Sequence, residues 1–390
     1  MTSARGLIVA AASSHSGKTT ISVGLIAALR RRGHRVAAAK CGPDYIDPPF
    51  LEAASGRPAV NLDPWAMSPD TVQARLAKQA EQAEAIVVEG VMGLFDGAAE
   101  GAGSTAALAR LTGLPVLLVV SAQGLAQSAA AVAEGFARLA SGFQVIGAIA
   151  NSVASERHAG LIQEGFARTS VRLLGMVRRD PQMALPSRHL GLVQAEEHGD
   201  LEVKIAKSAE LVAAGCDVDR IVHSMRPLLA TPRRPPGLAR LGGAIAVARD
   251  VAFAFAYPHQ LDDWREQGAR ISFFSPLADE APAADADAVF LPGGYPELHA
   301  GRLAAAGTFR AGMRAAADRG ALIYGECGGY MVLGESLTDA EGTPHRMLGL
   351  LPVSTSFERK KLHLGYRRLT PLGDLPWAGP LTAHEFHFAS

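Results

Sequence analysis

The sequence predicts an α/β protein of two consecutive domains, each a parallel sheet covered by helices. Three observations carry this prediction. Apolar runs alternate with helix-period segments through the first two hundred residues, a Pro/Arg-rich stretch then breaks the pattern, and the alternation resumes towards a glycine-flanked cysteine. A chain of 390 residues also exceeds one ordinary core.

Strands are expected at 7–11, 35–39, 85–88, 115–120, 145–150 and 172–176, with helical segments between them. Ile21, Leu25 and Leu29 recur at four-residue spacing and Gly33 closes that helix as a C-cap. Such alternation predicts a doubly wound sheet with helices on both faces. Residues 226–242 have prolines and arginines without periodicity and are expected to be a linker between domains 1–225 and 243–390. The second series places strands at 244–248, 288–291 and 321–324.

The first strand runs into Ala12-Ser13-Ser14-His15-Ser16-Gly17-Lys18-Thr19-Thr20 at the head of the first helix. That is the setting of a phosphate-binding P-loop. Backbone N–H groups wrap the phosphates, Lys18 reaches the outer ones, and the Thr19 hydroxyl can bind Mg²⁺. Ala12 stands where the usual pattern has glycine, but Ser16, Gly17 and Thr20 keep the loop small enough for close approach. ATP is the expected ligand.

A P-loop enzyme needs acidic groups for the metal and the acceptor. The strand 85–88 ends in Glu89-Gly90, where a metal-holding carboxylate is expected. The strand 35–39 is followed by Lys40-Cys41-Gly42-Pro43-Asp44-Tyr45-Ile46-Asp47-Pro48, which brings a cation and two carboxylates to a stiff loop. Both loops leave the C-terminal edge of one sheet, where ligands of open α/β folds bind. Lys40, Asp44, Asp47 and Glu89 are therefore the candidate acceptor and phosphoryl residues, with Thr19 and Glu89 for Mg²⁺.

The second domain holds Gly325-Glu326-Cys327-Gly328-Gly329 between an apolar strand and Tyr330-Met331-Val332-Leu333. Flanking glycines permit the sharp strand-to-helix turn that exposes a nucleophile, and the helix start is expected to favour thiolate. Cys327 is the candidate nucleophile. Gly293-Gly294 supplies a second glycine turn whose N–H groups suit an oxyanion.

Taken together, Ala-Ser-Ser-His-Ser-Gly-Lys-Thr-Thr, Lys-Cys-Gly-Pro-Asp-Tyr-Ile-Asp-Pro, Glu-Gly-Val-Met-Gly-Leu-Phe-Asp-Gly, Leu-Pro-Gly-Gly-Tyr-Pro-Glu and Tyr-Gly-Glu-Cys-Gly-Gly-Tyr-Met resemble the cobyrinate or hydrogenobyrinate a,c-diamide synthases of cobalamin biosynthesis. The resemblance runs from residue 7 to the last residue. It implies an N-terminal ATP-dependent amide ligase domain of the dethiobiotin-synthetase type and a C-terminal class I, triad-type glutamine amidotransferase domain. It further implies that Cys327 releases ammonia from L-glutamine through a thioester, and that ATP activates two corrin acetates as acyl phosphates for amidation. Family members usually continue beyond the His384-Glu385-Phe386-His387 segment, and the activating histidine is expected in that later part. The base for Cys327 is thus left open between His384, His387 and a residue beyond 390. The three-residue step between His384 and His387 does not fit the His-Glu-x-x-His zinc motif.

Balanced charge, 38 basic against 38 acidic residues, argues against nucleic acid or an anionic membrane surface as partner. Three scattered cysteines and a short N-terminal apolar run point to a cytoplasmic protein without a disulfide scaffold. The apolar composition is compatible with a homodimer. Two other functions fit parts of the pattern. One is amidation of another tetrapyrrole, as by cobyric acid synthase or a nickel-sirohydrochlorin amidating enzyme; the other is a P-loop scaffold ATPase without amidation.

Overall fold

A computed structural model describes residues 4–183, 187–188, 191–197, 199–228, 237–373, 375–377 and 379–390. The chain divides into two compact units, Met1–Pro236 and Gly237–Ser390.

The first unit strings together β1 (Arg5–Ala11), α1 (Lys18–Arg31), β2 (Val36–Cys41), α2 (Asp47–Ser55), β3 (Val60–Leu62), α3 (Pro69–Gln79), β4 (Ala85–Glu89), α4 (Thr105–Thr112), β5 (Val116–Ser121), α5 (Ser128–Leu139), β6 (Val145–Val153), α6 (Glu156–Phe166) and β7 (Leu173–Arg178). A short pair, β8 (Ser187–Arg188) and β9 (Gly191–Leu192), precedes α7 (Leu201–Gly215), α8 (Val218–Ser224) and β10 (Arg226–Pro227). The main sheet has the order β3-β2-β4-β1-β5-β6-β7 and is parallel along that path, with β10 antiparallel on β1. β1 and β4 are buried on both faces, as a sheet covered twice by helices requires. Ile21, Leu25 and Leu29 are fully buried, so the four-residue spacing marks the core face of α1. Burial of each side chain contributes about 1.5–3 kcal/mol. α7 approaches α1 closely at Gly24, where an added Cβ would lie 2.6 Å from Val212.

Part of the stretch expected to be a linker is built into the folded units. Arg226 and Pro227 pair with β1, and the Arg5 guanidinium clamps this strand by donating to Met225 O at 2.6 and 3.0 Å. At the other end, Leu241 is buried and Ala239 O accepts from Trp377 Nε1 at 2.9 Å. Residues 229–236 lie outside the described ones.

The second unit contains β11 (Ala244–Ala248), α9 (Pro258–Glu266), β12 (Arg270–Phe274), β13 (Ala288–Leu291), α10 (Ala300–Ala305), α11 (Gly307–Asp318), β14 (Leu322–Gly325) and α12 (Gly328–Leu333). Its parallel sheet has the order β12-β11-β13-β14. β15 (Ser336–Thr338), β16 (Pro344–Arg346) and β17 (Ser354–Ser356) form a small mixed sheet, and β18 (His363–Leu369) pairs antiparallel with β19 (Leu381–His387). No helix among the described residues is long and apolar enough to cross a membrane.

Candidate active site

The C-terminal edge of the first sheet gathers the charged residues in register. β2 and β4 are neighbours, with Lys40 beside Glu89, and β3 sets Asn61 on the other side of Lys40. The P-loop turns back over this row. His15 and Gly17 both take left-handed backbone, with φ of 61° and 87°. At Gly17 a side chain is also excluded, since an added Cβ would meet Asn151 Nδ2 at 2.1 Å. Asn151, from the end of β6, donates to Ser16 O at 2.9 Å, and Ser16 Oγ donates to Ser13 O at 2.9 Å. The loop is therefore held from inside and from a neighbouring strand. Lys18 and Thr19 open α1, and Thr20 continues it.

Thr19 Oγ1 donates to Glu89 Oε1 at 2.8 Å. The same oxygen accepts from Lys40 Nζ at 2.9 Å, and Lys40 also donates to Asp47 Oδ2 at 2.5 Å and Gly90 O at 3.1 Å. Lys40 and Glu89 are almost wholly buried, at 2% and 0% exposure. The sheet edge thus brings Thr19, Lys40, Asp47 and Glu89 together. Asp44 is 3.9 Å from Lys40 but spends its Oδ1 on the N–H groups of Ile46 and Asp47. It braces the turn that presents Asp47 at the start of α2. Asn61 donates to Gly42 O and Asp44 O at 2.9 and 2.7 Å, fixing the same loop.

Two ammonium groups face three carboxyls in this space, and the protonation equilibria follow. Burial would lower Lys40, but the charges of Asp47, Glu89 and Asp44 outweigh it and hold the ammonium above its ordinary pKa. Asp47 is lowered because the attraction of Lys40 overcomes its burial. Burial pushes Glu89 up to about 7 against the pull of Lys40, and burial with repulsion from Asp47 pushes Asp44 up to about 6. Burial and then the charge of Lys40 lower Lys18, opposed by the carboxylates. Glu89 Oε2 is buried without a hydrogen-bond partner among the described residues. A buried carboxyl oxygen without a partner, beside the Thr19 hydroxyl, fits a hard cation that takes oxygen ligands.

In the second unit β14 ends in a turn whose apex is Cys327, with φ 48° and ψ −115°. A non-glycine residue in this left-handed half of the map stores strain, as expected for a nucleophile lifted off a sheet. Cys327 is exposed. Gly293 comes against it so closely that an added Cβ would lie 3.0 Å from Cys327 Cβ and 3.4 Å from its Sγ. Gly293 gives its carbonyl to Phe255 N–H. The N–H groups that draw the thiol's pKa down are those of Gly328 and Gly294. The expected preference for thiolate is not met. Crowding by protein atoms around the sulfur, with the charges of Glu297 and Glu326, raises the thiol above its ordinary pKa despite these two donors. A helix of only six residues offers little dipole to offset that.

Sequence reasoning missed several of these residues. In the sequence Gly328 reads as turn geometry, although its N–H is the first of the helix. Asn61 and Asn151 lie in no motif and reach the site only through strand order. Tyr324 donates to Glu326 Oε1 at 2.9 Å beside the nucleophile, a pairing its i,i+2 position on a strand end could have suggested.

The two C-terminal histidines sit on β19. His387 uses both ring nitrogens within its own segment, Nδ1 at 3.0 Å from Ala389 O and Nε2 at 3.0 Å from Glu385 Oε1. His384 packs against Tyr366, with ring centroids 5.0 Å apart.

Residues 7–193 match the CobQ/CobB/MinD/ParA nucleotide binding domain, and residues 244–390 match the CobB/CobQ-like glutamine amidotransferase domain. The chain is 54% identical over 385 residues to a hydrogenobyrinate a,c-diamide synthase of Rhizobium meliloti (strain 1021), covering 99% of this chain and 90% of that protein. Proteins of the same name from Brucella abortus and Rhodobacter capsulatus are 53% and 49% identical over 393 residues. Each match covers 99% of this chain, and 89% and 90% of the respective relative. A nucleotide-binding P-loop unit is therefore followed by a glutamine amidotransferase unit, and the chain belongs to the hydrogenobyrinate a,c-diamide synthase family.

Proposed function

We propose that this chain is a carbon–nitrogen ligase that amidates the a and c acetate carboxylates of hydrogenobyrinate or cobyrinate, using ATP and L-glutamine. The observation that carries the reading is the buried Lys40–Asp47–Glu89–Thr19 cluster against the P-loop. A scaffold ATPase has no need of a second ammonium and a loop carboxylate beside its phosphate site. Amidation of another tetrapyrrole would use the same cluster, and the relatives' shared name favours the a,c-diamide reaction.

A carboxylate is a poor electrophile, so ATP must first supply a leaving group. Ser16, Gly17 and Thr20 shape the loop around the phosphates and Lys18 neutralises the outer ones. Mg²⁺, held by Thr19 and Glu89, would offset charge on the transferring phosphoryl group. Lys40 and Asp47 belong to the acceptor side; Lys40, paired with Asp47 and Glu89, offsets the negative charge gathered there, and Asp44 keeps the loop in place. Transfer of the phosphoryl group gives an acyl phosphate, which ammonia converts to the amide with release of phosphate.

Ammonia is supplied by the second unit. Cys327 Sγ attacks the glutamine side-chain amide, the oxyanion is met by the N–H groups of Gly294 and Gly328, and ammonia leaves with formation of a glutamyl thioester. Gly293 contributes by having no side chain, which lets the turn close on the sulfur. Water then releases glutamate. The surroundings of Cys327 raise the thiol's pKa, so a base must take its proton during attack. The free thiol this chemistry needs suits a reducing cytoplasm.

Lys18→Ala tests the order of events. It abolishes amidation with glutamine and with ammonia alike, because phosphorylation precedes both. Ammonia-driven product at the parent rate in that variant would overturn the P-loop assignment.

A further inference from the structure

The C-terminal hairpin holds a cluster that the amidation chemistry does not use. The register of β18 and β19 sets His363 directly opposite His387. Their rings stack, with centroids 4.7 Å apart and planes 11° from parallel. Side chains alternate along a strand, so Glu385, two residues before His387, shares its face, and His384 falls on the other. The result is two imidazoles and a carboxylate, each partly buried, whose ligand atoms all lie within 4.8 Å of one another.

In two of the three residues the atom that would not bind an ion is already held. His387 Nδ1 is 3.0 Å from Ala389 O, a contact that needs a proton on Nδ1 and leaves Nε2 as the variable nitrogen. Glu385 is paired through Oε2 with the Arg367 guanidinium, while its Oε1 faces His387 Nε2 at 3.0 Å. Metal-binding histidines commonly donate their second N–H to a carbonyl, and ligating carboxylates are themselves hydrogen-bonded. Without a metal, the Nε2–Oε1 contact is a hydrogen bond of ordinary length, 3.0 Å. A divalent ion would take the place of its proton.

We propose that His363, Glu385 and His387 form a three-ligand site for a divalent transition ion of the Zn²⁺ type, with Ala389 and Arg367 orienting two of the ligands. Bonds of about 2.0–2.2 Å span ligand atoms up to roughly 4 Å apart, so to close this set around an ion the two imidazoles must unstack and turn their ring edges toward a common point. Two imidazoles with one carboxylate suit Zn²⁺ better than Mg²⁺ or Ca²⁺. The set has no familiar spacing, because the usual zinc pair of histidines is written for a helix, whereas this one uses the two-residue step of a strand and a cross-strand partner.

The test is Zn²⁺ titration of the full chain in metal-free buffer, in competition with a chromophoric chelator, for the parent, His363→Gln, Glu385→Gln and His384→Ala. One site per chain is expected in the parent. Loss of a ligand should weaken it by more than about 100-fold, beyond the effect of losing an orienting group. His384→Ala, on the opposite face, should bind as the parent does. Co²⁺ added in place of Zn²⁺ should give visible d–d absorption in the parent and none in His363→Gln, with thermal unfolding in chelator used to confirm that both are folded. Equal Zn²⁺ affinity in the parent and folded His363→Gln, or no Zn²⁺ uptake by the parent, overturns the proposal.

Discussion

The protonation of Glu89 is the most quantitative consequence of the first unit's architecture. Its side chain is fully buried, and burial lifts its pKa from the ordinary 4.5 to about 7 although Lys40 and Thr19 both donate to it. The folded chain therefore takes up a proton on Glu89 where the unfolded chain does not. The resulting stability is complete below pH 4.5 and is lost as pH rises through about 7. At about 1.4 kcal/mol per pKa unit, the span amounts to roughly 3 kcal/mol. Carboxyl-labelled glutamate NMR of the parent, with Glu89→Gln identifying the resonance by its disappearance, reads the midpoint directly. Without ligand it should lie near 7, and with Mg²⁺ and a non-hydrolysable ATP analogue it should fall, because a bound cation favours the carboxylate. Denaturation of the two proteins between about pH 4.5 and 8 should show a parent-minus-variant difference that changes by roughly 3 kcal/mol. A ligand-free midpoint near the ordinary glutamate value would refute the claim that burial outweighs Lys40 at this edge.

Replacing Lys40 by methionine leaves Glu89 and Asp47 buried without their cation; a loss of about 3–5 kcal/mol is expected in urea unfolding at about pH 8, with a smaller loss near pH 5 where Glu89 protonates. An unchanged urea midpoint at the higher pH would mean that the two carboxyls are neutral in the folded chain. Cys327→Ser should abolish glutamine-driven amidation and leave the ammonia-driven rate within about twofold of the parent; equal loss with both donors would show that the elbow is needed for the first unit's chemistry. Asn61→Leu removes two hydrogen bonds from the Gly42–Asp44 loop. It should raise KM for the corrinoid and cost about 1–3 kcal/mol of stability, and unaltered steady-state kinetics would separate that loop from acceptor binding.

Much of this organisation was legible because it is local. Lys18 and Cys327 announce themselves through small residues on a strand-to-helix turn, a signal written within nine residues at one place and five at the other. Glu89 was legible as the polar end of an apolar strand. What escaped depends on strand order. Asn61 flanks Lys40 because β3 pairs with β2, and Asn151 reaches Ser16 across 135 residues of chain. β12 was not anticipated because Arg270–Phe274 is a half-exposed edge strand with weak patterning. The expectation of a thiolate at Cys327 failed for a different reason. The helix start favours thiolate, the protein atoms around the sulfur oppose it, and the second effect is larger. Asp44 and Asp47 looked equivalent in the sequence, yet only Asp47 bonds Lys40; Asp44 makes the turn that puts it there.

The two units together are expected to perform one glutamine-dependent double amidation. Mass spectrometry of hydrogenobyrinate and of cobyrinate, incubated with the full chain and Mg-ATP and with glutamine or ammonia in parallel, tests it directly. Two amides should be added to at least one of the corrinoids with glutamine as donor. Absence of amide product from both corrinoids with either donor would contradict it.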